Sequence, residues 1–255
     1  MKAVSLQSGS NGNCIYVETD DVRILFDAGI SGIQAERRLE EIGRDIRDVD
    51  CVIISHDHWD HARCAAIFSR KYSLDVWMTP KTYSKVNSSG AFGRFHELSH
   101  FGAGEILRFN NTSVITIPTP HDAVDGVAFI VDDSRSRLGV LTDLGHIFDG
   151  LPELLMSLNG VFLESNYDVS MLENGPYPAF LKNRIKGKSG HISNIESANL
   201  LSPAFRKKLK WACLAHLSEQ NNTPRTALDT HRNIIGSGAE LSVASRYSVS
   251  TVLSL

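Results

Sequence analysis

The stretch Val49-Asp50-Cys51-Val52-Ile53-Ile54-Ser55-His56-Asp57-His58-Trp59-Asp60-His61 decides how this chain of 255 residues is read. Its first half is short and mostly apolar, the pattern of a buried strand, and Ala62 to Tyr72 beyond it reads as a helix. Between them, residues 55–61 hold three of the ten histidines and two aspartates. Neutral imidazole and carboxylate are the donor set of Zn²⁺ and related divalent ions, and so dense a cluster is costly to bury unless something binds it. A solvated His-rich turn is the alternative. The strand-to-helix junction favours ligation, because ligands there stand on rigid supports.

Outward from the cluster, composition sets the bounds. At 42% hydrophobic the chain can bury a full core. A single domain over residues 1–255 is expected. The formal charge of −3 argues against a molecule coated in positive charge, so a nucleic-acid contact must come from a local patch. The opening MKAVSLQSGSNGN has the marks of neither a secretory signal nor a membrane span, and a cytoplasmic protein without membrane contact is expected. Cys14, Cys51, Cys64 and Cys213 form no C-x-x-C pair and read as free, buried thiols.

Strand-like and helical stretches alternate along the whole chain, which makes the class α/β. The patterns predict strands over 14–18, 22–27, 51–55, 75–78, 113–118, 126–132, 137–142, 160–164, 211–215 and 240–245. Helices are predicted over 34–42, 61–72, 151–156, 194–201 and 224–235. Several hairpin-like strands precede the first helix, which suits mixed sheets covered by helices better than a doubly wound parallel sheet.

Three further candidate ligands stand just past apolar runs, where loops at one sheet edge can converge: His121 after Val114–Ile117, Asp143 after Gly139–Thr142, and His216 after Trp211–Ala215. In this order, with Asp27 in "FDAG" and the H-x-H-x-D-H run, the chain resembles the metallo-β-lactamase superfamily. The resemblance runs from about Val4 to Val243. It implies an αββα four-layer sandwich of two mixed β-sheets flanked by helices, with two divalent metal ions per chain (Zn²⁺ or Mn²⁺). By the same resemblance His56, His58 and His121 would hold one ion, Asp60, His61 and His216 the other, and Asp143 would bridge them. Aspartate at 143, where β-lactamases carry cysteine, looks like the phosphodiesterase and nuclease branches.

The stretches "SLQSGSNGNCIYVET", "ESNYD", "YPAFLKNRIKGKSGHISN" and "LAHLSEQNNTP" look like the WalJ/YycJ-type proteins, bacterial relatives of tRNase Z and the β-CASP nucleases. That branch implies phosphodiester hydrolysis by a DNA exonuclease working 5′ to 3′, with a role in DNA repair. Too few residues separate Asp143 from His216 for an inserted β-CASP domain, and no stretch looks like the protruding arm of tRNase Z.

Two such ions would hold a bridging hydroxide as nucleophile and neutralise the scissile phosphate. Asp60 would bind metal and orient that hydroxide. His191, in "SGHIS", matches the β-CASP-type histidine that contacts phosphate or protonates the leaving oxygen, work suited to an imidazole. Asp27 either buttresses a ligand imidazole or caps the turn before Gly29. Glu164 and Asn166 either orient His191 or a ligand, or end a strand. Lys182, Arg184, Lys186 and Lys188 alternate in a basic loop before His191, a phosphate track or a solubilising surface. The run Arg206-Lys207-Lys208 with Lys210 is a solvated face or a distal DNA contact. Gly9 and Gly12 shape a tight turn near the metal edge. Trp59 could stack on a base, though packing of its loop is the preferred reading.

The function expected is a dinuclear metal-dependent phosphodiesterase cleaving nucleic acid, DNA ahead of RNA. A small-molecule metallohydrolase acting on a cyclic phosphodiester or lactone would keep every ligand yet show no salt-dependent DNA affinity. A regulatory protein with a structural metal is the third reading, disfavoured because structural zinc sites are usually closed and rich in thiolate.

Overall fold

The apolar runs of the sequence form strands in a computed structural model that describes residues 1–88, 90 and 92–255. Among these residues the strands are β1 (Lys2–Gln7), β2 (Cys14–Glu18), β3 (Arg23–Phe26), β4 (Cys51–Ile53), β5 (Asp75–Met78), β6 (Glu97–His100), β7 (Ile106–Phe109), β8 (Thr112–Pro118), β9 (Val127–Asp132), β10 (Arg137–Leu141), β11 (Gly160–Glu164), β12 (Trp211–Ala215), β13 (Glu240–Val243) and β14 (Leu253–Ser254). The helices are α1 (Gly32–Glu40), α2 (Trp59–Ala62), α3 (Ala65–Tyr72), α4 (Pro80–Asn87), α5 (Leu151–Met156), α6 (Val169–Asn174), α7 (Ala179–Lys186), α8 (Asn194–Phe205) and α9 (Pro224–Ile235). The strands make two mixed sheets of seven, ordered β14-β1-β2-β3-β4-β5-β6 and β13-β12-β11-β10-β9-β8-β7, flanked by helices as the sequence predicts.

The chain divides into two compact units. The first comprises Met1–Pro118, Ala123–Val127 and Ser245–Ser254, and the second Thr119–Asp122, Ala128–Ala244 and Leu255. In the first unit β1, β2 and β3 run antiparallel as hairpins, whereas β3 to β6 run parallel. In the second, β10 to β13 run parallel. Parallel strands are covered on both faces and so read as unbroken apolar runs; β11 and β12 are buried at every position. Val52, Ile53 and Ile54 are completely buried, each worth about 2 kcal/mol of apolar transfer. Strands that share a direction end at one edge, and the loops beyond their carboxyl ends are where ligands bind in open α/β sheets. Asp27 and Ser55–His61 follow β3 and β4, and Asp143, Asn166 and His216 follow β10, β11 and β12.

Three expectations give way to the structure. The single helix expected over 61–72 is two, α2 and α3. A continuous helix would pair the Asp60 carbonyl with the Cys64 amide, but Asn13 donates its amide to Asp60 O (2.8 Å) and Cys64 donates to Ala28 O (2.9 Å). Helix α8 continues beyond Leu201 to Phe205 despite Pro203, with buried Leu200, Leu201 and Ala204 holding its last turns down. The stretch expected as a basic loop is mostly α7: Lys182, Arg184 and Lys186 are helical, and only Lys188 lies beyond its end. Leu181 and Ile185, one turn apart, pack with Tyr167 and Leu172, an apolar pair that the alternating cations mask in the sequence. All four cysteines are free and buried, as expected.

Candidate metal centre

In the first unit the histidine cluster is built onto the end of β4. Asp27, 4% exposed, is its anchor. One carboxylate oxygen accepts from Ser55 N and from Ser55 Oγ, both at 2.8 Å. The other lies 2.6 Å from His61 Nδ1. Because Ser55 donates its hydroxyl proton to Asp27, Ser55 Oγ can accept from His56 Nδ1 at 2.9 Å. Both imidazoles therefore carry their proton on Nδ1, and the lone pair that can bind a metal sits on Nε2. His56 lies 4.6 Å from His58 and 4.1 Å from His61, ring centroid to centroid. Of the two sequence readings for Asp27, the geometry matches the buttress.

Asn13 was not singled out by sequence, yet it meets the cluster directly. Its side-chain amide lies 3.0 Å from His61 Nε2 and donates to Asp60 Oδ2 at 3.2 Å. The turn that presents it uses Gly9 and Gly12, at φ 141 and 142°. Gly29, in "FDAG", serves a different need: a Cβ there would stand 1.7 Å from the Asp60 carbonyl oxygen. Three loops are thus pressed together, with Gly29 donating to Asn13 O and Ala28 to His61 O. Trp59 stays 63% exposed, with an edge-on contact to Phe92 at 6.3 Å.

In the second unit the organising residue is Asp143. Its Oδ1 stands 3.6 Å from His121 Nε2, 3.6 Å from His216 Nδ1 and 3.7 Å from His191 Nδ1. These spacings exceed hydrogen-bond range. The spacings to His121 and His216 are close to the edge of a coordination tetrahedron with bonds of about 2.1 Å, which is roughly 3.4 Å, whereas His191 Nδ1 is taken by Glu164. Asp143, Glu164, His191 and His216 each offer a donor atom within 4.8 Å of the others. The mixed nitrogen and oxygen donors of both units, with no thiolate among them, fit a Zn²⁺- or Mn²⁺-type ion.

Supporting bonds fix these donors. His121 donates Nδ1–H to Gly190 O at 2.9 Å, leaving the lone pair on Nε2. Asn166 donates to His216 O at 2.8 Å and approaches its Nδ1 at 3.3 Å. Glu164, wholly buried, accepts Leu144 N on one oxygen (2.9 Å) and holds His191 Nδ1 with the other at 2.5 Å. Burial of the His191 ring opposes its charge, but the Glu164 carboxylate and then Asp143 outweigh this and raise its pKa above the ordinary histidine value. With Nδ1 committed to Glu164, Nε2 is the nitrogen His191 can offer to substrate. Asp122, another residue the sequence did not flag, places Oδ1 3.4 Å from His121 Nε2 and Oδ2 2.6 Å from Arg184 Nε. Lys186 pairs with Glu173 at 2.5 Å, and Lys182 donates to Glu173 O. Three of the four cations read as a phosphate track thus have protein partners.

Of the six non-glycine residues with left-handed φ among the described residues, three belong to these clusters and three, Ser73, Asn110 and Ser134, do not. Asp27, Asp143 and His216 adopt left-handed φ of 66, 56 and 54°. Non-glycine residues pay about 1–2 kcal/mol for this conformation, and such strain collects at functional sites.

The family model described as the metallo-beta-lactamase superfamily matches residues 8–150. The chain belongs to the metallo-β-lactamase superfamily. It is 32% identical to Exodeoxyribonuclease YycJ of Bacillus anthracis, over 87% of this chain and 84% of that one. Exodeoxyribonuclease WalJ of Streptococcus pneumoniae serotype 2 (strain D39 / NCTC 7466) is 33% identical over 87% of this chain and 83% of its own. The short form of human tRNase Z shares the superfamily fold at a TM-score of 0.67 and 14% identity, covering 98% of this chain and 99% of that one. As a member of this superfamily with exodeoxyribonuclease relatives, the protein is a metal-dependent hydrolase. Among the described residues no helix is long and apolar enough to cross a membrane.

Proposed function

We propose that the protein is a dinuclear metal-dependent exodeoxyribonuclease working 5′ to 3′, with a role in DNA repair in the cytoplasm. The observation that carries this reading is the Asp143-centred cluster with its Glu164–His191 pair, which combines an ion-holding set with a held proton donor. The relatives' printed activity supplies the substrate class. His56, His58 and His121 would hold one ion, Asp60, His61 and His216 the second, and Asp143 would serve both. Two divalent ions would supply Lewis acidity that activates a water and offsets the charge of the scissile phosphate. The chain's own groups do the rest. Asp60 orients the attacking water. His191, steadied at Nδ1 by Glu164, presents Nε2–H to the leaving oxygen, a transfer worth on the order of 10²–10⁴-fold in rate. Asp27 keeps His61 in the ligating tautomer, and Asn166 fixes the His216 loop.

The test is a time course of end-labelled single- and double-stranded DNA and RNA with metal-stripped protein, resupplied with Mn²⁺ or Zn²⁺, beside His58→Ala and Asp143→Ala. Metal-dependent shortening from the 5′ end of DNA, absent in both variants, is expected. Turnover of bis-p-nitrophenyl phosphate without cleavage of any polymer would overturn the nuclease reading.

A further inference from the structure

Helix α7 has two faces of different character. Leu181 and Ile185 pack inward with Tyr167 and Leu172. Phe180 and Arg184, also one turn apart, lie on the outer face; Phe180 is 75% exposed, and the Arg184 side chain is 59% exposed. A phenylalanine left open to this degree forgoes about 2 kcal/mol of burial, and what sets Phe180 apart from the other exposed hydrophobics is its place one turn from Arg184. Arg184 is pinned through Nε alone, by Asp122 Oδ2 at 2.6 Å, and its two terminal nitrogens make no hydrogen bond among the described residues. Asp122 in turn sets its other oxygen 3.4 Å from Nε2 of the candidate ligand His121. An exposed aromatic ring thus stands about 6 Å along the helix from a guanidinium, and one carboxylate joins that guanidinium to a candidate metal ligand.

We propose that Phe180 and Arg184 read an unpaired terminal nucleotide of the substrate, Phe180 stacking on its base and Arg184 holding its phosphate. The proposal rests on the nuclease reading of the same site. Every base has a π-face, so a stacking platform recognises a frayed or single-stranded end without regard to sequence, whereas a base paired inside a duplex is already stacked. The guanidinium fork matches phosphate oxygens, and fixing Nε on Asp122 lowers the entropy lost when the remaining nitrogens engage. A protein partner docking on Phe180 is the competing occupant.

The experiment uses the full chain stripped of metal, so that binding is read without turnover, and short single strands carrying 2-aminopurine at one end or the other. Wild type quenches the terminal 2-aminopurine. Phe180→Ala loses the quench and binds roughly tenfold more weakly, Phe180→Trp retains both, and strands with an abasic terminal sugar do not distinguish Phe180→Ala from wild type. Arg184→Gln weakens binding of base-bearing and abasic strands alike and lowers the salt slope by about one. Circular dichroism melts confirm that each variant is folded. If wild type cleaves DNA while Phe180→Ala matches it in quench and affinity, the proposal is overturned and the nuclease reading stands. If wild type cleaves no nucleic acid, the nuclease reading fails and the proposal with it.

Discussion

Asp27→Asn changes one oxygen to an amide nitrogen and should reach the metal through a proton. Asp27 accepts two bonds from Ser55 on one oxygen and faces His61 Nδ1 at 2.6 Å with the other. The asparagine oxygen will stay with the two Ser55 donors, which turns its NH₂ toward His61. Two donors then confront each other unless His61 moves its proton to Nε2, the nitrogen needed for ligation. Loss of the charge-assisted bond costs about 1.5–3 kcal/mol of stability. For a chain of this size that lowers the melting temperature by roughly 3–10 °C. The inverted tautomer should weaken metal binding on the order of 10–100-fold. Competition against a chelating dye measures the affinity, and ¹⁵N NMR of labelled histidine reports which ring nitrogen is protonated. Unchanged affinity with His61 still protonated at Nδ1 would refute the tautomer argument.

Other perturbations follow from the same geometry. Gly29→Ala places a methyl 1.7 Å from the Asp60 carbonyl oxygen, with backbone on both sides. We expect a loss of about 3 kcal/mol or more in urea denaturation together with substoichiometric metal by mass spectrometry, and a fully loaded, equally stable variant would contradict the three-loop packing. Glu164→Gln should lower kcat roughly 10–100-fold with little change in KM and move the alkaline limb of the pH–rate profile to lower pH, since the carboxylate holds His191 protonated; an unchanged profile would remove His191 from proton transfer. His231, fully buried, bonds to Ala227 O and Ser197 Oγ, and burial pushes its pKa down to about 4. Its contribution is therefore complete above pH 6.5 and declines as pH falls toward 4, by up to about 3 kcal/mol. His231→Gln should flatten the dependence of stability on pH in that window, and an equally steep decline would assign it to other groups.

The strands and helices that the sequence placed to the residue are β2, β5, β11, β12, α5 and α9, each with a charged residue, glycine or proline marking at least one of its ends. Misplaced boundaries have tertiary causes. The α2–α3 break depends on bonds from Asn13 and Ala28, far off in sequence, and α7 depends on a Leu181–Ile185 seam hidden under basic residues. The site divides along the same line. Donor atoms were legible because imidazole and carboxylate at strand ends form a recognisable pattern. Their supports were not: Asn13 reaches His61 across 48 positions, and Asp122 reaches Arg184 across 62. Only the "FDAG" and "ESN" motifs hinted at that layer, and each had an equally ordinary reading as a turn.

The left-handed backbone at Asp143 and His216 puts robustness and chemistry in opposition at single positions. Glycine adopts this conformation at no steric cost, so replacement would relax the loop by about 1 kcal/mol while deleting a donor, whereas at Asp27 the lost bonds to Ser55 and His61 outweigh that relief. A library selected for heat resistance alone should drift toward glycine at Asp143 and His216 and emerge hardier and metal-poor. Selection for turnover holds the strained residues and must recover stability elsewhere, on the outer faces of the helices.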